Sequence, residues 1–569
     1  MKCLLRLSFL LSWTLVINLL PVTTSFVASS CSRSQRTTSS FRWAAAASSQ
    51  DANILDSSSN SYLATCIPGL APVLAQELEQ IHKDITDIQQ SGNSAVTFTA
   101  TREASLHALI WVRTAHRLLE LVANSPEGIF LYDKNDVHEF IRQDVNVKDL
   151  LGDGEGGLLT ISCKAVLNNA RNLPKDLSHS HFTGLTIKNA LCDVVRELRS
   201  DRPNVDIDDP DVPLVAMVLG QEGAGGAGAS ISLYKSLAPP GSLHKRGYRS
   251  NSAMHKAAMK ESLAAGLLLQ AGWKEKAGQA KANIGSSQSP LIVVDPMAGS
   301  GSLVLEAAMM AADIAPALMR IKCGMSGQSL PPVTRWKGSV DSTRLWKELL
   351  LEATQRAKQG IQTVRETKWI QIHANDIHGG ALDLMEDSLA QAGLSPLVQI
   401  TNQDCKDLKI PSDSETPHWV LTNPPWGVRL TEDVEESWDS LRHFLRDTCP
   451  SETEAWVLSG DKAASAQLKM KRDKMIPIQT GDQHLRWIQY TIRAPRERSE
   501  EEDGQEARKV DGVPKPKVRV ALKQERPKPR EARSVAGTAR GSPRASPNKF
   551  KPIPQGTTKK ASANEWLID

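Results

Sequence analysis

Apolar residues recur along this chain with the periods of strands and of helices. The arrangement of these two patterns differs between residues 61–239 and residues 240–495, which divides the chain into two halves. Between residues 61 and 239, short apolar runs typical of strands stand between stretches with apolar residues at helical spacing. The strand candidates are residues 62–65, 95–98 and 158–165, and the helix candidates are residues 71–81 and 106–122. This mixture predicts a small α+β region of one or two modules. The glycine-rich segment 220–228 lacks a strand-to-helix context, so we predict a surface loop there.

The second half, residues 240–495, has a different pattern in which apolar strand runs alternate with helical stretches. The strand runs are residues 291–295, 370–373, 398–401, 419–422 and 455–458. Such alternation implies right-handed crossovers and a mostly parallel sheet covered by helices on both faces. Residues 474–492 predict a final hairpin that turns at Gly481 and Asp482. The predicted fold class is therefore α/β, a doubly wound domain after an α+β region.

Composition supports a multidomain globular protein. With 569 residues the chain is too long for one core, and its 40% hydrophobic and 23% charged residues are ordinary for a soluble protein. The eight cysteines are scattered and form no C-x-x-C pair. Because a structural zinc site usually draws its ligands from short-spaced pairs, we predict no metal.

Residues 1–50 have the composition of a targeting presequence. Lys2 and Arg6 precede an uncharged apolar run at 7–22, and a stretch rich in Ser, Thr and Ala follows, with the first acidic residue at Asp51. A signal-peptide core followed by a basic, hydroxylated segment resembles the bipartite presequence of proteins imported into secondary plastids. We expect a plastid protein with no membrane anchor in its mature form, and a mitochondrial protein is the alternative.

Residues 496–569 lack hydrophobic periodicity. Within 511–560, 14 Lys and Arg residues stand against three acidic residues, a balance of 14 − 3 = +11. A segment this poor in apolar residues is predicted to be disordered, and its charge favours contact with a polyanion. A tail that only increases solubility is the alternative.

The first candidate site is a glycine turn between a buried strand and a helix. The strand ends at Asp295, and the turn residues proposed to bind a cofactor are Pro296, Gly299, Ser300 and Gly301. Neither the dinucleotide fingerprint nor the phosphate loop is present, which argues against NAD and ATP. Asp376 follows the strand at 370–373 and is placed to bind ribose hydroxyls. Asp404 follows the strand at 398–401, and its carboxylate can accept a hydrogen bond from an adenine amino group. Together these residues outline an adenosine-shaped site.

The second candidate site follows the strand at 419–422 and consists of Asn423, Pro424, Pro425 and Trp426. The two prolines fix the backbone, so the Asn423 side-chain oxygen and the Pro424 carbonyl can accept both hydrogens of one base amino group. Trp426 offers an aromatic face for the base, a contact worth roughly 1–3 kcal/mol. A reactive methyl donor requires orientation of its acceptor more than a strong base. These four residues are our catalytic candidates.

With both motifs, the chain resembles the THUMP-domain RNA methyltransferases, particularly the bacterial large-subunit rRNA guanine-N2 methyltransferases. The similar segments are residues 62–66, 111–117, 188–190, 201–206, 243–249 and 306–316. Trp426 stands where the family more often has Tyr. The resemblance implies a Rossmann-like class I methyltransferase domain, a ferredoxin-like and THUMP region that binds RNA, and S-adenosylmethionine as cofactor. It also implies N2-methylation of a guanosine in rRNA, with tRNA as an alternative substrate.

A basic block lies at the entry to the second half. Lys245, Arg246 and Arg249 fall within the sequence HKRGYR, and we expect these three residues to contact RNA, although a solvated linker is the alternative. A non-catalytic RNA-binding factor for ribosome assembly remains a different class of function. It would be favoured by loss of Asn423, the aromatic residue at 426 or the glycines, and all of these are present.

Overall fold

The computed structural model describes residues 59–151, 159–223, 226–249, 258–286, 288–336, 340–410, 416–426 and 434–493. The predicted presequence and the predicted basic tail lie outside these residues. The described chain contains two seven-stranded sheets, and their strands fall on either side of the boundary predicted near residue 240. Among these residues, no single helix has both the length and the hydropathy required to cross a bilayer.

The first sheet combines antiparallel and parallel pairing, and its spatial order is β2-β3-β1-β4-β7-β6-β5. Its strands are β1 (Asn60–Thr65), β2 (Ile85–Ser91), β3 (Ala95–Ala100), β4 (Arg117–Asn124), β5 (Ile161–Asn168), β6 (Val212–Gly223) and β7 (Gly226–Ser236). Only the pair of β5 and β6 is parallel among these strands. Strand β4 pairs with both β1 and β7, so the first four strands and the last three form one continuous sheet.

The helices of this half are α1 (Ala71–Ile81), α2 (Arg102–Trp111), α3 (Lys134–Asp144), α4 (Val147–Leu151) and α5 (Ser180–Arg199). Helix α2 begins where the Thr101 side chain accepts a hydrogen bond from the Ala104 backbone N–H at 3.2 Å. Helix α5 approaches β5 closely, because a Cβ on Gly184 would stand 3.3 Å from the backbone of Ala165. The α+β region predicted from the sequence is thus present as one sheet with its helices.

Two sequence predictions in this half were wrong. The stretch 106–122 is not one helix, because α2 ends at Trp111 and residues 117–124 form β4, in which Leu118, Leu119 and Ala123 are buried. The segment 220–228 is not a loop, because β6 and β7 pair as a hairpin up to Gly223 and Gly226. Residues 224–225, at the tip of the hairpin, lie outside the described residues. In both cases pairing with a distant strand determines the structure.

The second sheet has the order β10-β9-β8-β11-β12-β14-β13. Its strands are β8 (Leu291–Asp295), β9 (Ile370–Asp376), β10 (Val398–Asn402), β11 (His418–Thr422), β12 (Glu454–Ser459), β13 (Lys474–Thr480) and β14 (Gln483–Thr491). Strands β8 to β12 are parallel, and the antiparallel hairpin of β13 and β14 completes the edge. The order reverses between β8 and β11, and doubly wound sheets bind nucleotides at such a point.

Helices cover this sheet and leave the carboxyl ends of its parallel strands for the candidate site. They are α6 (Glu261–Gln270), α7 (Trp273–Ala282), α8 (Ser302–Ala311), α9 (Pro316–Lys322), α10 (Val340–Thr367), α11 (Gly379–Ala392), α12 (Val434–His443) and α13 (Lys462–Ala466). Every residue of α8 is buried, which explains why its sequence is apolar except for Ser302 and Glu306. The predicted α/β domain with a final hairpin is confirmed.

Buried guanidinium groups join the two halves. Arg113, which follows α2, donates to the Ile314 carbonyl at 2.8 Å, and its own carbonyl accepts from Arg246 at 2.9 Å. The Arg246 side chain is completely buried, and its Nε lies 2.9 Å from Glu306 on α8. Arg320 on α9 donates to the Leu109 carbonyl at 3.3 Å. The cores of the two halves therefore meet through charged groups that have internal partners.

Candidate functional site

The glycine turn lies between β8 and α8, as the sequence predicted. Gly299 and Gly301 have φ angles of +54° and +78°, in the region that side chains disfavour. A Cβ on Gly301 would stand 2.5 Å from the Met385 side chain, so any side chain there would have to displace Met385. A Cβ on Gly299 would meet no atom within 4 Å, which shows open space beside the turn. The turn therefore combines one closely packed glycine with one that borders a possible ligand position.

Asp376 connects the turn to the next strand. One of its carboxylate oxygens accepts a hydrogen bond from the Gly299 backbone N–H at 2.8 Å, and the other accepts from the His378 N–H at 2.9 Å. Ile377, beside it, is 59% exposed and presents an apolar surface at the sheet edge. A carboxylate next to an apolar face suits an adenosine group, so these residues fit the predicted cofactor.

The other two acidic candidates have different surroundings. Asp295 is buried at the end of β8, and burial, reinforced by the nearby charge of Asp376, raises its pKa to about 7. Partial burial acts to raise the pKa of Asp404, but hydrogen bonds from the side chain and backbone of Lys406 outweigh it and the pKa is lowered. The Lys406 ammonium lies 2.8 Å from the Asp404 carboxylate. Asp404 is thus at the predicted sheet edge and already has a cationic partner.

Asn375 is a polar residue of this edge that the sequence analysis missed. Its buried amide donates to the carbonyls of Pro296 at 3.0 Å and Gln403 at 2.9 Å, and its oxygen accepts from the Thr401 hydroxyl at 2.9 Å. The side chain therefore links the ends of three parallel strands. The available signal was an Asn at the end of a buried strand, next to Asp376, where a buried polar residue requires partners.

The loop after β11 is held by two tryptophans. The Trp426 indole N–H donates to Oδ1 of Asn423 at 3.0 Å, and the Trp438 indole N–H on α12 donates to the Pro425 carbonyl at 2.7 Å. Pro424 is buried, whereas Asn423 is partly exposed. Two prolines and two indoles consequently fix the backbone and the side chain of the catalytic candidates.

Gly460, after β12, is a further residue that sequence reasoning missed. A Cβ at this position would stand 2.6 Å from Cε3 of Trp426, so the indole packs directly on the Gly460 backbone. The neighbouring turn is fixed because the Ser459 hydroxyl donates to the Asp461 carbonyl at 2.7 Å. One face of the Trp426 ring is therefore in contact with protein.

The two candidate sites lie side by side because β8 and β11 are paired neighbours. Val294 is level with Val420, and both strands end two residues or fewer later, at Asp295 and Thr422. The glycine turn and the Asn-Pro-Pro-Trp loop thus leave the same edge of the sheet. This arrangement allows a donor bound at the turn to face an acceptor bound at the loop.

The basic block differs from the prediction. Lys245 is exposed, which suits RNA contact, but Arg246 is completely buried against Glu306. Arg249 is mostly buried and donates to the Met259 carbonyl at 2.9 Å and to the Ser302 hydroxyl at the start of α8. The prediction of an RNA contact was therefore wrong for Arg246, because its charge is neutralised inside the protein. Arg249 holds the helix that follows the cofactor turn.

One group of side chains could be considered for a metal. Ligand atoms of His82, Glu103 and His107 lie within 4.8 Å of one another on the first half of the chain. However, Nδ1 of His82 accepts a hydrogen bond from the Asp84 backbone N–H at 3.2 Å. This nitrogen is therefore already engaged in a hydrogen bond within the protein.

Models of three protein families match successive parts of the chain. The RlmL ferredoxin-like domain matches residues 61–119, the THUMP domain matches residues 160–222, and the RMKL-like methyltransferase domain matches residues 246–488. Together, these matches place ferredoxin-like, THUMP and methyltransferase domains in succession along the chain, which is therefore similar to the THUMP-domain methyltransferases. The matched methyltransferase region contains both candidate motifs.

Curated relatives and solved structures agree with this family. Ribosomal RNA large subunit methyltransferase K/L from Magnetococcus marinus is 30% identical over 379 residues, which are 66% of this chain and 45% of that protein. The chain thus spans about half the length of the curated relatives it matches.

Two solved structures share the fold. A possible methylase from Clostridium difficile 630 has a TM-score of 0.58 and 18% identity, covering 77% of this chain and 100% of that one. A protein complexed with SAH has a TM-score of 0.56 and 19% identity, covering 77% of this chain and 99% of that one. At these identities the similarity establishes the fold alone.

Proposed function

We propose that this protein is an S-adenosylmethionine-dependent methyltransferase that modifies the exocyclic N2 amino group of a guanosine in large-subunit rRNA. The observation that carries the proposal is the placement of the Asn423 and Pro424 acceptors next to the glycine turn at one sheet edge. The relatives named as rRNA large subunit methyltransferases support the substrate, and the THUMP match supports RNA binding.

The cofactor would be held by the turn at Gly299 and Gly301 and by Asp376, with Ile377 beside it. When bound, it supplies an electrophilic methyl group on a sulfonium. The SAH in a structure of the same fold supports this choice of cofactor. The residues of the turn contribute close backbone approach, and Asp376 contributes acceptors for hydroxyl groups.

The acceptor residues provide orientation. Oδ1 of Asn423 and the carbonyl of Pro424 each accept one hydrogen of the amino group, which directs the nitrogen lone pair toward the methyl donor. The Trp426 indole holds the Asn423 oxygen, and the prolines together with the Trp438 bond to the Pro425 carbonyl restrain the backbone at Pro424. Little rearrangement therefore accompanies the reaction. The amino nitrogen becomes acidic once it is methylated, so its proton can leave to solvent without a strong base in the loop.

The first experiment is methylation of organellar rRNA and total tRNA by the purified protein, with mass spectrometry of RNase fragments. We expect N2-methylguanosine in one large-subunit rRNA fragment, and we expect Asn423→Ala to abolish it while S-adenosylmethionine binding persists. Methylation of tRNA alone would support the alternative substrate. Absence of methylation together with absence of cofactor binding would instead favour the non-catalytic assembly factor.

We also propose that residues 1–50 deliver the protein to a plastid, on the basis of their composition. A fusion of these residues to a fluorescent protein, expressed in an alga with secondary plastids, should be found in the plastid stroma. Fluorescence in mitochondria would support the alternative destination.

A further inference from the structure

We infer that Trp426 is a positioning residue that selects the reactive orientation of the Asn423 amide. The inference rests on the proposed function. It differs from a stacking role, because it concerns the indole N–H and not the ring face. Its basis is the 3.0 Å hydrogen bond from Nε1 of Trp426 to Oδ1 of Asn423.

The side-chain amide of an Asn can rotate between two orientations, in which the oxygen and the nitrogen occupy each other's positions. Only the oxygen can accept a hydrogen from a base amino group, whereas the NH2 group would oppose one donor with another. The indole N–H is a donor and never an acceptor, so it can pair with Oδ1 of Asn423 but not with Nδ2. Trp426 therefore stabilises the orientation that the reaction requires.

The hydrogen bond to Trp426 leaves Asn423 able to bind substrate. A carbonyl oxygen has two lone pairs, so Oδ1 can accept from the indole and from the base amino group together. A phenol O–H, as in the Tyr that resembles this position in the family, can donate or accept and selects less strictly. A Phe ring has no polar hydrogen and selects neither orientation.

The indole itself is held in place from the opposite side. Its six-membered ring packs on Gly460, where even a Cβ would approach Cε3 to 2.6 Å. The Asp461 N–H donates to the Ser459 hydroxyl at 3.2 Å, which closes the turn around Gly460. The chain from β12 through Gly460 to Trp426 thus determines where the Asn423 oxygen points.

The test compares Trp426→Phe with the wild type after wild-type methylation has been measured. Phe preserves an aromatic face but removes the N–H, so kcat should fall about tenfold, the equivalent of one hydrogen bond, while KM for RNA changes less than about twofold. β-(3-benzothienyl)alanine at position 426 keeps the bicyclic shape without the N–H, and it should reproduce the loss. Trp346→Phe is the matched control, because it removes a buried indole hydrogen bond of 2.9 Å to the Ser329 carbonyl.

A second comparison, made in the Asn423→Asp variant, isolates the effect of Trp426 on the orientation of the amide. Asn423→Asp replaces the amide with a carboxylate whose two ends are both acceptors, so Trp426→Phe should cost less than about twofold there. An equal loss in both backgrounds, or a raised KM with unchanged kcat, would overturn the inference in favour of stacking alone. If Asn423→Asp is itself inactive, the division of the Trp426→Phe effect between kcat and KM decides. An inactive wild type would instead reject the proposed function.

Discussion

The Asp376 carboxylate accepts a hydrogen bond from the Gly299 backbone N–H at 2.8 Å, and this contact ties the end of one strand to the glycine turn of another. The acid thus shapes the turn, and under the proposed function it would also accept hydrogen bonds from the cofactor. Both functions depend on its negative charge.

We expect Asp376→Ala to weaken S-adenosylmethionine binding by about 10- to 100-fold, the range for hydrogen bonds to a charged group. Isothermal titration calorimetry measures the effect. Asp383→Ala, on the exposed face of α11, is the matched control and should leave the affinity unchanged. Equal affinities in both variants would remove Asp376 from the cofactor site.

The two glycines of the turn should respond differently to substitution. Gly299→Ala introduces a methyl into open space, so we expect a stability loss of only about 1–2 kcal/mol from the positive φ but a weaker cofactor affinity by about tenfold. Gly301→Ala forces its methyl into Met385, so the loss of stability should be larger. Urea denaturation with and without cofactor separates these effects. Met385→Ala should partly restore Gly301→Ala, and failure to do so would contradict the packing argument.

Lys245 and Arg246 are adjacent, but we expect Lys245 to contact RNA at the surface and Arg246 to stabilise the interior. Lys245→Ala should change the free energy of unfolding by less than about 0.5 kcal/mol. It should weaken RNA binding, and the slope of the logarithm of the binding constant against the logarithm of the salt concentration should decrease by about one, the loss of one phosphate contact. Arg246→Ala should destabilise the protein by about 3–5 kcal/mol, because Glu306 would remain buried without its partner. Denaturation and RNA binding at several salt concentrations provide both readouts. A stable Arg246→Ala variant with impaired RNA binding would restore the surface interpretation.

Two histidines are buried in the second sheet, and we expect their contribution to the free energy of unfolding to decrease as the pH is lowered. Burial lowers the pKa of His418 to about 4, and the nearby His373, whose pKa burial also lowers, adds to the shift. The unfolded chain, with a histidine pKa of about 6.5, binds more protons between pH 6.5 and 4. The contribution of His418 to the free energy of unfolding therefore decreases as the pH falls through this window, whereas Asp295, whose pKa is raised to about 7, contributes with the opposite sign. His418→Gln should reduce the pH slope by up to about one proton, and an unchanged slope would contradict the assignment.

Local motifs of the site could be predicted from the sequence because each is encoded by adjacent residues. The turn at Gly299 and Gly301 and the loop at Asn423 both follow short apolar strands, and a strand end with glycine or proline has few alternative structures. The alternation of strands and helices was likewise sufficient for the second sheet. These features require no knowledge of distant contacts.

The errors arose where a distant partner decides the outcome. Strand β4 is leucine-rich enough to imitate a helix, and only its pairing with β1 and β7 makes it extended. Arg246 belongs to a run of basic residues, but Glu306, sixty positions later, draws it into the core. The contact of Trp426 with Gly460 joins separate strand ends in the same way. Sequence patterns report local geometry, and they do not contain these pairings.

The buried guanidinium groups between the two halves have a consequence for target choice. The two halves are held together by bonds from buried guanidinium groups to backbone carbonyls and to a carboxylate. These groups belong to Arg113, Arg246 and Arg320. The distance between the half that matches the THUMP domain and the Asn-Pro-Pro-Trp loop is therefore fixed. Under the proposed function, an RNA substrate would have to present its guanosine at that fixed distance from the surface that binds it. The architecture of the folded RNA, as well as the identity of the base, would then select the nucleotide.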